Sequence, residues 1–210
     1  LAKTVAEANG LVEIGLVPTA RGGTSITEWE RGDQLYDDAV DRALWARGRG
    51  DGTVVGVLWH QGERNSKTLA DATAHADRLE ALVAHLRADL ESPELPFISG
   101  GLLQTIFFPY ADMVVAALAT LPQRVPATGF VTSEGLTHKG DNLHFDSASE
   151  RELGSRYAKA MLGLQKFTMQ SAPDVEIRVG DNNEPPVLAP IADAGGAEGE
   201  LLSFVVSAED

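Results

Sequence analysis

Cysteine is absent from this sequence. That excludes disulfides, thiolate nucleophiles and thiolate-held metals, but it does not identify a compartment, because many exported chains also lack cysteine. Basic residues are few: 17 Lys and Arg stand against 31 Asp and Glu, a formal net charge of −14. Nucleic-acid binding rests on basic patches, and docking on anionic membranes does too, so both partner classes are disfavoured. No stretch reaches the roughly 18 apolar residues of a membrane helix. Aromatic residues are 6% of the chain, yet 43% is hydrophobic, which supplies a core and excludes whole-chain disorder. At about 150 residues per domain, 210 residues make one domain and a remainder.

What is present alternates. Residues 11–20, 53–59 (TVVGVLW), 95–103 and 125–133 read as strands. Residues 34–47, 67–90, 110–121 and 148–164 have helical spacing. Asp33 is a candidate N-cap and Gly48 a stop; Pro122 is read as ending the third helix, and Ser149 and Glu152 as a capping box. Alternation of this kind predicts an α/β fold with a parallel sheet, whose ligand site lies at the carboxyl ends of the strands. Residues 1–10 read as the back of a helix closed by Gly10, and the last residues, LLSFVVSAED, stop inside an alternating pattern. The expectation is a fragment of a longer protein. The division predicted is an α/β domain over 1–168, a linker over 169–186, and the start of a β-sandwich module over 187–210.

Three loops carry candidate chemistry. In Pro18-Thr19-Ala20-Arg21-Gly22-Gly23-Thr24, the Gly22–Gly23 pair lets backbone N–H groups approach a developing oxyanion, or simply makes a tight turn. In His60-Gln61-Gly62-Glu63, the Gln61 amide can donate to an oxyanion, and Glu63 can accept from an imidazole. In Asp141-Asn142-Leu143-His144-Phe145-Asp146, a carboxylate three residues before an imidazole can hold its Nδ1–H and leave Nε2 as general base. A capped surface turn is the plainer reading of that spacing. His144, Asp141 and Asp146 could also ligate a metal, but no second histidine cluster supports a zinc site, and no metal is expected. His138 lacks a carboxylate at the same spacing. His75 and His85, on the long helix, are expected to be partly exposed. Trp29, Trp59, Phe107, Phe108 and Tyr110 are candidates for a sugar cleft or for core.

Taken together, LVPTARGGTSITEWERG (16–32), VLWHQGE (57–63) and DNLHFD (141–146) resemble the SGNH hydrolases. The nearer branch is that of sialate O-acetylesterases and family-six carbohydrate esterases, which include acetylxylan esterases. The resemblance covers about residues 1–165. It implies a three-layer α/β/α flavodoxin-like fold, with the first strand missing here, and a serine hydrolase that removes acetyl groups from sugars without a cofactor. It further implies His144 as catalytic base, Asp141 or alternatively Glu63 as its helper acid, and Gly22, Gly23 and Gln61 around the oxyanion. The family's Gly-x-Ser block is absent, and Ser25, Ser66 and Ser99 do not replace it. The nucleophile is therefore expected upstream of Leu1. The 210-residue chain alone is expected to fold poorly and to show at most trace activity. A decayed hydrolase acting as a carbohydrate-binding or adhesion protein is the alternative. The tail is similar to bacterial cadherin-like or immunoglobulin-like modules, which implies an extracellular or periplasmic location. Asp181-Asn182-Asn183-Glu184-Pro185 resembles a cadherin linker, which implies a Ca²⁺ site there; an ion-free acidic linker is the plainer reading.

Overall fold

A computed structural model describes residues 1–8, 13–48, 52–103 and 107–164 in full, and 201–207 as backbone. Helix α1 (Ala2–Ala8) precedes strand β1 (Glu13–Pro18). Then come α2 (Gln34–Arg47), β2 (Thr53–Trp59), α3 (Leu69–Asp89), β3 (Phe97–Gly100), α4 (Ala111–Arg124), β4 (Thr128–Val131) and α5 (Ser147–Leu164). The last described element is β5 (Leu201–Ser207). The strands form one sheet in the order β1-β5-β2-β3-β4, with every pairing parallel. This is the expected α/β fold.

Alternation along β2 divides the interior into two cores. Val57 and Trp59 join Phe97 and the buried faces of α2, α3 and α4. Leu58 points the other way and joins Ile98, Val131, Val5 of α1, and Leu153, Tyr157 and Met161 of α5. On α3, Ala72, Leu79, Leu82, Val83 and Leu86 form the buried stripe that helical spacing requires. Each such leucine contributes roughly 2 kcal/mol of burial. The Thr68 hydroxyl caps α3 by accepting from the Asp71 N–H at 3.1 Å.

Four expectations change. Helix α4 runs through Pro122 to Arg124. A proline there deprives the Leu118 carbonyl of its intrahelical donor, and the Ser99 hydroxyl donates to that oxygen at 3.3 Å instead. Helix α5 starts at Ser147 rather than 148, and its cap is Asp146, whose Oδ1 accepts from the N–H groups of Ala148 (3.0 Å) and Ser149 (2.8 Å). Ser149 is then inside the first turn, where its Oγ accepts from the Thr137 N–H. His75 is wholly buried, because the face of α3 that carries it packs into the core. Leu201–Ser207, expected to open a second module, lies within this sheet, between β1 and β2. It pairs with β1 from Glu13↔Leu201 to Pro18↔Val206, and with β2 from Thr53↔Leu202 to Trp59↔Ser207. Two parallel neighbours leave one strand position between them. The predicted linker, with its Asp181–Pro185 stretch, lies outside the described residues.

Candidate active site

All five strands run parallel, so the loops after β1, β2 and β4 gather at one rim of the sheet. The loop after β2 is buried. Gln61, Glu63, Asn65 and Ser66 are 3%, 8%, 0% and 0% exposed. Buried polar atoms need partners, and the Gln61 amide finds two: Nε2 donates to the Thr24 carbonyl at 2.8 Å and to Asn65 Oδ1 at 2.7 Å. The backbone partners fix both orientations, since a carbonyl only accepts and the Ile26 N–H, which donates to Asn65 Oδ1 at 2.9 Å, only donates. Asn65 Nδ2 in turn donates to Ser25 Oγ at 2.9 Å. Both amide hydrogens of Gln61 are thus committed, and it braces the first loop rather than aiming a donor outward. Its Oε1 is buried without a hydrogen-bond partner.

That brace supports the Gly22–Gly23 turn. Both glycines are exposed, and Gly23 has φ +72°, a left-handed conformation that glycine adopts without strain. Thr24, the next residue, donates from Oγ1 to the Arg21 carbonyl and accepts there from Trp29 Nε1 at 3.0 Å. Trp29 and Trp59 meet edge to face with centroids 5.5 Å apart, at 2% and 1% exposure. They belong to the core, as does Phe108, while Phe107 is exposed and Tyr110 half-buried. The serines are committed as well. Ser25 closes a capping box with Glu28. Ser66 donates to the Gly62 carbonyl, and Ser99 to the Leu118 and Gly129 carbonyls.

The loop before α5 carries the predicted pair. His144 Nδ1 lies 2.6 Å from Asp141 Oδ2, and Asp141 Oδ1 accepts from the N–H groups of Leu143 (3.0 Å) and His144 (2.9 Å). The bond from the His144 side chain, then that from its backbone, holds the Asp141 carboxyl well below the usual carboxylate range. Lys139 Nζ lies 3.6 Å from the same Oδ2. A carboxylate anchored on both oxygens fixes the imidazole's rotation and places its proton on Nδ1, leaving the Nε2 lone pair for base chemistry. Glu63, the competing acid, sits in the buried loop with partners of its own. Asp146 is held to its capping role, and Thr137 donates to its Oδ2 at 2.5 Å. Among the described residues no group of three His, Asp or Glu side chains is arranged to hold a metal.

Two features missed at the sequence level tie these loops together. The ring of His60 meets Phe145 edge-on at 5.6 Å, linking the loop after β2 to the residue beside His144. Its Nδ1 lies 3.2 Å from Tyr157 Oη, which itself donates to the Trp59 carbonyl at 2.8 Å. The tyrosine proton is committed, so His60 must donate from Nδ1. Burial pushes the His60 pKa down to about 4 and keeps it neutral. Gly100 makes room for this contact, because a Cβ there would lie 2.1 Å from Tyr157 Oη and 2.6 Å from His60 Nδ1. Asn65 is the other omission: its partners lie up to 40 residues away, and nothing local marks it. A cavity of about 570 Å³ opens between the loops after β3 and β4; Gly101, Leu103, Ser133, Glu134, Thr137 and His138 are among its walls.

Comparison with known proteins places the chain in a family. Residues 1–163 match the family described as carbohydrate esterase, sialic acid-specific acetylesterase. A probable carbohydrate esterase of Arabidopsis thaliana is 39% identical over 154 residues, which are 71% of this chain and 55% of the plant protein. The chain thus spans about half the length of that relative. An X-ray structure of the Arabidopsis protein superposes with a TM-score of 0.71 at 36% identity, covering 77% of this chain and 66% of that one. The crystal structure of NanS shares the fold, with a TM-score of 0.55 at 22% identity over 64% of this chain and 54% of its own. On the family match and the plant relative, the chain belongs to the carbohydrate esterase, sialic acid-specific acetylesterase family.

Proposed function

We propose that the protein is a serine carbohydrate O-acetylesterase, acting on acetylated sugars such as acetylxylan or O-acetylated sialic acid. The observation that carries the reading is the Asp141–His144 pair at 2.6 Å, with the carboxylate locked by two backbone N–H groups. In this reading the nucleophilic serine belongs to a segment upstream of Leu1. Its Oγ attacks the acetyl carbonyl, His144 Nε2 takes the proton and delivers it to the departing sugar hydroxyl, and water then releases acetate from the acyl-enzyme. Backbone N–H at Gly22 or Gly23 faces the oxyanion, with Gln61 setting that turn from behind. The cavity beside His138 takes the sugar. An extracellular or periplasmic location accompanies this reading.

The test is acetate release by the full-length protein from acetylated xylan and from O-acetylated sialic acid. His144→Ala is expected to lower kcat by about 10³-fold or more with the fold intact. Sugar binding without acetate release from either substrate would favour the adhesion reading. That alternative draws on the structural commitments of Ser25, Ser66 and Ser99.

A further inference from the structure

We propose that His138 is a positioning residue that sets the loop presenting Asp141. The loop is a closed hairpin. The Asp146 N–H donates to the Thr137 carbonyl at 3.0 Å, the Lys139 N–H donates to the His144 carbonyl at 2.9 Å, and His138 and Phe145 form an antiparallel bridge. Its tip, Gly140-Asp141-Asn142-Leu143, has no strand or helix to satisfy its backbone, and Asn142 sits at φ +59°. Backbone donors in such a turn need side-chain acceptors. Two side chains divide the work. Asp141 Oδ1 takes the N–H groups of Leu143 and His144. His138 Nδ1 takes those of Gly140, at 3.0 Å, and Asn142, at 3.2 Å, the two residues that flank Asp141. The histidine therefore brackets the acid, and the acid's Oδ2 is left to orient His144.

This role has a chemical signature. An Nδ1 that accepts from two N–H groups carries a lone pair, so the neutral ring holds its proton on Nε2. His144 is the opposite case, with Nδ1 turned to a carboxylate. The two imidazoles of one loop are thus expected in different tautomers.

The experiment is heteronuclear NMR paired with kinetics, both on the full-length protein. The ¹⁵N shifts should report His138 as the Nε2–H tautomer. His138→Phe keeps a ring and removes the acceptor, and amide exchange at Gly140, Asn142 and His144 should speed up roughly tenfold. Exchange in α5 and β4 should stay unchanged, which separates a loosened loop from a misfolded chain. His138→Asn restores an acceptor oxygen near the Nδ1 position and should recover most of the protection. In the full-length protein, His138→Phe should lower kcat about tenfold with KM nearly constant, and His138→Asn should rescue it. An Nδ1–H tautomer, or His138→Phe with unaltered exchange at the tip, overturns the proposal, as does a loosened tip with unaltered kcat. The kinetic arm rests on the esterase reading. If the unsubstituted protein releases no acetate, that reading fails, and the NMR arm decides the positioning role alone.

Discussion

The loop after β2 and the loop before α5 bring polar side chains to the same rim of the sheet, under opposite conditions. Gln61 and Asn65 are sealed, at 3% and 0% exposure, and bond across 37 to 40 residues of chain to Thr24, Ser25 and Ile26. The side chains of Asp141 and His144 stand at 37% and 33% exposure and bond almost entirely within their own turn. In a sealed network a lost partner leaves buried donors stranded, so its members matter for stability. In a solvated turn water replaces what is lost, so stability changes little and only the geometry of the pair suffers. The fold thus separates a brace that must be complete from a tip that must be reachable.

The comparison breaks if either region behaves like the other. The largest effect is expected from Asp141→Asn: turnover by the full-length protein should fall about 10³-fold or more, while the denaturation midpoint barely moves. Asn65→Ala should do the reverse. It strands the Ile26 N–H and one Gln61 hydrogen, and should destabilise by about 3 kcal/mol in urea titrations. A smaller stability change than that of Asp141→Asn would remove the distinction. Next in size is acid lability. His60 and His75 both have pKa values pushed down to about 4 from 6.5, by burial first and, for His75, also by Arg78. The unfolded chain then binds more protons between those values, so stability is full above about pH 6.5 and declines towards pH 4. The loss is at most about 3 kcal/mol per histidine. Asp141 adds little in that window: its lowered pKa acts only as the pH falls to the ordinary carboxylate range and below, and solvent screens a group this exposed. The smallest effect sharpens the point. Both ring nitrogens of His75 are buried without hydrogen-bond partners, so His75→Leu should raise stability at neutral pH by roughly 1 kcal/mol and flatten part of the acid decline.

Local signals were legible in the sequence and distant ones were not. Strand β2 follows from an apolar run, and α2 from its periodicity between Asp33 and Gly48. The Asp141–His144 pair follows from a spacing that one turn can close. The end of α4 has no local signal, because the hydroxyl that accommodates Pro122 comes from Ser99, 19 residues before Leu118. The inward direction of the Gln61 hydrogens has none either, because Thr24 and Asn65 meet them only in the folded chain. No local pattern says that Leu201–Ser207 enters between β1 and β2, since strand order is a property of the whole sheet.

In the proposed reading Asp141, not the buried Glu63, orients His144 for catalysis. The direct measurement is kcat for acetate release by the full-length protein carrying Asp141→Asn or Glu63→Gln, with the unfolding midpoint taken on the same samples. The account predicts that Asp141→Asn loses about 10³-fold or more in kcat at an unchanged midpoint. It predicts that Glu63→Gln loses stability before it loses kcat. A Glu63→Gln enzyme that is stable and inactive, beside an active Asp141→Asn enzyme, would contradict it.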